Sequence, residues 1–134
     1  MSAGRGRRAA VLLAFLLGAP AAAAEPAVAP LTVSFRWTEA NICTSFSPRI
    51  EVVGVPPGTA YLRVKLVDLN VPSYPHGGGT VPYRGSPIIP AGALNGYRGP
   101  CPPEGRHDYR LTVEALDTGS LVIGRGEETV PCCP

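Results

Sequence analysis

Apolar and polar residues alternate one by one over three stretches of this chain. Leu31, Val33, Phe35 and Trp37 are separated by Thr32, Ser34 and Arg36, and Leu62, Val64 and Leu66 stand opposite Tyr61, Arg63 and Lys65. Tyr109, Leu111, Val113 and Ala115 are likewise separated by Arg110, Thr112 and Glu114. A period of two is that of a strand with one buried face. Strands are therefore predicted over Leu31 to Trp37, over Ala60 to Asp68, and from Tyr109 onward. Arg49 to Val53 is a short β-branched run between Ser47-Pro48 and Gly54-Val55-Pro56-Pro57-Gly58, and it predicts a further strand between turns. Thr80 to Tyr83 and Leu121 to Ile123 are shorter candidates. No stretch sustains a helical period, apart from a single turn at Ala91 to Leu94. The pattern predicts an all-β protein, an antiparallel sandwich with little helix.

Composition modifies this picture only slightly. With 16 Gly and 16 Pro the chain approaches low-complexity levels, yet 45% of it is hydrophobic and the breakers cluster between the alternating stretches. Residues 1–24 read as a secretory signal, because Arg5, Arg7 and Arg8 precede an apolar run from Ala9 to Leu17 and then the small residues Ala21 to Ala24. That run is too short to span a bilayer, which needs roughly 20 residues. No Cys lies near the expected cleavage after Ala24, as a lipid anchor would require. Residues 25–134 are then one domain with one core, and no transmembrane segment is expected in it. The 12 basic and 10 acidic residues become nine against ten once the signal is removed, so nucleic acid finds no electrostatic footprint. Four cysteines, Cys43, Cys101, Cys132 and Cys133, are expected to be oxidised in an exported chain and can pair in three ways. Adjacent Cys132 and Cys133 would bridge each other, stay reduced, or each reach back to one of the other two. At least one bridge from the tail is the expectation.

The most informative stretch runs from Gly96 to Asp117. Its first half is too rich in Gly and Pro to pair as a strand, so a stiff loop feeds the strand at Tyr109 and places His107, Asp108 and Tyr109 where that strand begins. Gly99-Pro100-Cys101-Pro102-Pro103, His107-Asp108-Tyr109 and Ala115-Leu116-Asp117 resemble, in order and spacing, the Gly-Pro-x-Pro-Pro loop, His-x-Tyr strand and following turn of the phosphatidylethanolamine-binding proteins, whose bacterial members are called Raf-kinase-inhibitor-like. A second signature, Asp-Pro-Asp-x-Pro followed by a His, is matched by Asp68-Leu69-Asn70-Val71-Pro72 and His76. Leu69 and Asn70 depart from it, and Gly77-Gly78-Gly79 lacks the bulky aromatic usual beside that His.

The resemblance implies a β-sandwich with a small anion pocket and no cofactor or metal. Its ligand would be a phosphate-type anion or a phospholipid head group, bound without catalysis. It points to Asp68, Asn70, Pro72, His76, Gly99, Pro100, Pro102, His107 and Tyr109 as ligand-binding residues. It also brings the loops of Cys43 and Cys101 to the same end of the sandwich, where a bridge would tie them. Backbone N–H groups of Gly-containing turns and imidazole N–H groups suit an anion. Asn70 would add two donors without a second carboxylate, and Asp68 would orient His76 or His107 by accepting a ring N–H. Blander readings stand beside each residue. His107 at a strand start is compatible with a surface position, His76-Gly77-Gly78-Gly79 with a hairpin tip, and Tyr109 with the core.

Two other classes of function are weaker. A lipase-like reading of His76-Gly77-Gly78-Gly79 lacks any Gly-x-Ser-x-Gly. A metal reading lacks Cys-x-x-Cys or His-x-x-x-His spacing. A disulfide-stabilised structural or inhibitory protein with a vestigial pocket remains the rival to a binding protein. The signal and the cysteines make one expectation directly testable. Mass spectrometry of the exported protein, periplasmic or extracellular, should find a chain beginning at Glu25 and lighter than the reduced form by two or four hydrogens. A chain retaining residues 1–24, or carrying four free thiols, would contradict export or oxidation.

Overall fold

The computed structural model describes residues 1–4, 6, 10–22 and 27–133. Arg5, Arg7, Arg8, Ala9 and the expected cleavage region at residues 23–26 lie outside the described residues. Nine strands follow in order: β1 (Ala29–Pro30), β2 (Thr32–Phe35), β3 (Ile50–Val53), β4 (Tyr61–Asp68), β5 (Gly77–Pro82), β6 (Ile88–Ile89), β7 (Gly96–Tyr97), β8 (His107–Leu116) and β9 (Val122–Cys132). They form a six-stranded sheet in the order β1-β9-β8-β4-β5-β7 and a three-stranded sheet in the order β2-β3-β6. All pairings are antiparallel except that of β1 with β9. No helix among the described residues is long and apolar enough to cross a membrane.

The alternating stretches become strands because their apolar sets meet in one core. Leu62, Val64 and Leu66 of β4 and Tyr109, Leu111, Val113 and Ala115 of β8 are buried together with Val33 and Phe35 of β2 and Ile50 and Val52 of β3. β4 and β8 pair over their whole common length, from Tyr61 opposite Leu116 to Asp68 opposite Tyr109. This long central pair fixes the register of the larger sheet.

Four elements differ from the sequence reading. β7 pairs Gly96 and Tyr97 with Gly78 and Gly77 of β5, in a stretch expected to be too rich in Gly and Pro to pair as a strand. β5 starts at Gly77, so the glycine run is strand rather than hairpin tip. β9 extends from Val122 to Cys132, far beyond Leu121 to Ile123. The expected helical turn at Ala91 to Leu94 contains no helix; a short 3-10 turn instead spans Glu39–Asn41. There Asn41 Oδ1 accepts from the Thr38 N–H at 2.9 Å and the Thr38 hydroxyl at 2.8 Å, which closes the turn.

Two disulfides are present, Cys43–Cys101 and Cys132–Cys133. The tail cysteines thus pair with each other and do not reach back to Cys43 or Cys101. β9 carries Cys132 to a position opposite His107 in register, while the loops of Cys43 and Cys101 already lie against one another.

The glycine run in β5 is required by backbone proximity. Gly77 has φ +66°, and a Cβ there would fall inside the radius of the Gly96 carbonyl oxygen on β7. Gly58 shares a positive φ, +88°, but faces open space. Gly58→Ala should therefore cost only the left-handed penalty of about 1–2 kcal/mol. Gly77→Ala adds a backbone clash and should cost roughly 3 kcal/mol or more, lowering Tm on the order of 10 °C. Equal melting temperatures for the two variants would show that β5 and β7 do not approach so closely.

Candidate functional site

β4 ends by directing Asp68 inward, because the strand's period of two continues the buried series of Leu62, Val64 and Leu66. Only 4% of Asp68 is exposed. A buried carboxylate is tolerated when its oxygens find donors. Oδ1 accepts the N–H groups of Asn70 at 2.9 Å and Val71 at 3.1 Å, closing the turn that leaves β4. Oδ2 accepts from His107 Nδ1 at 2.6 Å. Burial pushes the Asp68 pKa up, but the hydrogen bond from His107, the two backbone N–H groups and the imidazole charge together hold it below the ordinary carboxylate value.

His76 is fixed from the opposite side. Its Nδ1–H donates to the Arg98 carbonyl at 2.8 Å, while the Arg98 N–H donates to the His76 carbonyl at 2.8 Å. A carbonyl and an ionised carboxylate can only accept, so Nδ1 is the protonated nitrogen in both rings. Neither Nε2 has a protein partner among the described residues. In the neutral ring Nε2 is an acceptor, and in the imidazolium it is a donor.

Tyr109 is the residue these groups surround. Its ring meets His76 edge-on at 5.3 Å, stacks with His107 at 6.3 Å and takes an edge contact with Trp37 at 5.8 Å. It is fully buried, and its hydroxyl makes no hydrogen bond of standard geometry although Asp68 is near. Burial, followed by the Asp68 charge and its hydrogen-bonding oxygen, raises the phenol's pKa, so the group stays a neutral donor.

The Gly-Pro loop forms the remaining wall. The Gly99 N–H donates to the Thr44 carbonyl at 2.8 Å, the Cys43 N–H donates to the Pro100 carbonyl at 2.8 Å, and the Cys43–Cys101 bridge closes the same contact. Asn41 holds the facing loop by donating from Nδ2 to the Phe46 carbonyl at 3.0 Å, and its own carbonyl accepts the Tyr97 hydroxyl at 3.1 Å. A cavity of about 250 Å³ results. Of the residues expected from sequence, Asp68, His76, Gly99, Pro102, His107 and Tyr109 line it.

Asn70, Pro72 and Pro100 are not among its lining residues. Asn70 is exposed, and its Oδ1 accepts the Asp108 N–H at 2.9 Å, so its amide joins the loop to β8 instead of entering the cavity. Pro100 is buried behind the wall, where its carbonyl serves Cys43. Val71, Tyr74, Cys101 and Pro103 line the cavity without having been assigned as ligand-binding residues. Tyr74 supplies the aromatic group missing after His76; it packs on that ring at 4.7 Å from the preceding loop. Its position two residues before His76 was the available signal. Among the described residues no three His, Cys, Asp or Glu side chains are grouped as a metal site would need.

The phosphatidylethanolamine-binding protein family model matches residues 76–130, a span that includes His76, the Gly99 to Pro103 loop, His107 and Tyr109. Among solved structures the chain is similar to Escherichia coli YbcL, a member of the mammalian phosphatidylethanolamine-binding protein family. Identity is 19% and the TM-score 0.58, over 75% of this chain and 96% of that one. It is also similar to CT736 of Chlamydia trachomatis, a putative phosphatidylethanolamine-binding protein homolog, with 18% identity and a TM-score of 0.55 over 80% of this chain and 98% of that one. These likenesses show the fold. No curated protein matches the sequence.

Asp68 ties acid stability to the site. Because its folded pKa is depressed, the stabilisation it gives is complete above the unfolded carboxylate value and is lost as pH falls through the folded one. Urea midpoints should therefore fall below about pH 4, and Asp68→Asn should flatten that decline while lowering stability at neutral pH. An identical acid limb in the variant would remove Asp68 from this role.

Proposed function

We propose, taking the chain's membership of the phosphatidylethanolamine-binding protein family as the premise, that it is an exported, non-enzymatic binding protein. Its cavity takes a phosphate-type anion, either free or on a phospholipid head group. The observation that carries this reading is the pair of imidazole Nε2 atoms of His76 and His107, which have no protein partner among the described residues, in a cavity wall shared with Tyr109. The two histidines suit the same ligand in either protonation state. A neutral Nε2 accepts from a hydrogen phosphate, and a protonated one donates to phosphate with added charge.

Two features favour binding over chemistry and export over retention. The cavity-lining residues include no Ser or Thr, and the Cys101 sulfur is held in a disulfide, so they offer no aliphatic hydroxyl or thiol nucleophile for acyl transfer. Paired cysteines belong to an oxidising compartment and agree with the signal-like residues 1–24.

Titration calorimetry with inorganic phosphate and, separately, phosphoethanolamine tests this reading and distinguishes the two sources of the anion. His107→Ala removes a donor to a charged group and should weaken binding by about 1.5–3 kcal/mol, roughly 10- to 150-fold. Tyr109→Phe should also weaken binding while leaving Tm unchanged or raised, because it deletes an unpaired buried hydroxyl. Wild-type binding in both variants would reject the cavity as the anion site and favour a structural protein. A Tm drop in Tyr109→Phe with binding intact would assign the hydroxyl to the fold.

A further inference from the structure

A second cleft, of about 580 Å³, lies on the opposite, polar face of the six-stranded sheet. It is lined by Arg63, Lys65, Arg110 and Arg125 against a single carboxylate, Glu114, with Thr112 between them and Gly77 and Gly79 at one side. Register explains the charge arrangement. Arg63 stands opposite Glu114, and Glu114 opposite Arg125, so one carboxylate serves both guanidinium groups. Lys65 stands opposite Thr112 on β8 and Gly78 on β5, and it has no ion pair among the described residues. Arg110 Nε makes a long ion pair to Glu127 Oε2, at 3.9 Å, beyond hydrogen-bond distance. The glycines of β5, required there by backbone proximity, leave the side of the cleft next to Lys65 free of side chains.

We propose that this cleft is a second anion site, separate from the histidine cavity, for a ligand carrying two linked phosphate or sulfate-type groups. Diphosphate is the simplest such ligand. Residues two apart on a strand are about 7 Å apart and neighbouring strands about 5 Å. The cations of Arg63, Lys65 and Arg110 are thus spread over a distance that two linked anionic groups span better than one. The Lys65 ammonium has no ion pair among the described residues, Arg110 is held only by a long ion pair to Glu127, and Thr112 stands opposite Lys65 in register. Glu114 and Glu127 are the acids facing this ligand, and Glu114 is already shared by two arginines. The interaction is close to solvent, so salt will weaken it.

The test is calorimetric titration with inorganic pyrophosphate at low ionic strength, in a His107→Ala background that disables the other cavity. Binding should persist in that background and fall by about tenfold or more when Lys65→Gln and Arg110→Gln are added, since both remove donors to charge. Lys65→Arg keeps the charge and should keep the affinity. Pyrophosphate should shift backbone amide resonances of residues 63–67, 77–80 and 110–114. The substituted side chains lie on the sheet surface, so the melting temperature reports whether each variant is folded. Unchanged affinity in the folded double variant overturns the proposal, as do shifts confined to the surroundings of His76. A concentration-dependent dimer in sedimentation that the double variant abolishes would also overturn it, by giving the face to a second copy of the chain.

Discussion

One buried carboxylate, that of Asp68, determines how the larger sheet becomes a site. It stands at the last inward position of β4, where an apolar residue would continue the core, and must be given donors or cost several kcal/mol. The three donors come from two places: the N–H groups of Asn70 and Val71 in the outgoing loop, and the ring of His107 at the start of β8. Satisfying Asp68 thus folds the loop back and sets the tautomer of His107. The Leu69 N–H donating to the Asp108 carbonyl at 2.8 Å, and the Asp108 N–H donating to Asn70, fasten the same corner from outside. Tyr109, directly opposite Asp68 in the pairing, is then held with its hydroxyl beside a carboxylate that already accepts three hydrogen bonds.

The strands legible in the sequence are those whose inward positions are apolar. β2, β3, β4 and β8 each alternate because one face meets the core. β9 does not alternate, for a physical reason. Its inward positions include Gly124 and Gly126, opposite Ala115 and Val113, and a Cβ at Gly126 would collide with the Leu31 carbonyl oxygen. The chain passing from β1 into β2 lies too close for side chains there, so the hydrophobic signal is replaced by glycine. β1, β6 and β7, two residues each, are too short to show any period.

The site was partly legible for a related reason. His107 and Tyr109 are fixed by strand phase once β8 is placed, and Asp68 by the phase of β4. His76 sits at the entrance to β5, where a carbonyl partner from residue 98 holds it; nothing local in the sequence indicates that contact. Asn70 is expected as a donor from its place in the Asp68 to Pro72 signature and from its amide. In the folded chain the oxygen of that amide is taken by a backbone N–H, because a loop leaving a strand must satisfy its neighbours first. The aromatic partner of His76 is Tyr74, which precedes it, because after His76 the chain needs glycine to pass β7.

The same period of two that creates the cavity separates it from the opposite face. Along β4, Leu66 and Asp68 point inward, whereas Arg63 and Lys65 point outward. Lys65 and Asp68 are three residues apart, about 10 Å along the strand and on opposite faces, with the buried sheet between them. At physiological ionic strength the Debye length is about 8 Å, so charges on the two faces interact weakly through solvent. Coupling between the faces would have to pass through the sheet itself, and β5 is the strand best placed to carry it. His76, in the cavity, is followed at once by Gly77, at the side of the outer cleft, and both are locked by backbone contacts to the chain from Gly96 to Arg98. The close β5–β7 approach that forbids a side chain at Gly77 therefore sets the backbone both of the histidine that faces the cavity and of the glycines beside Lys65.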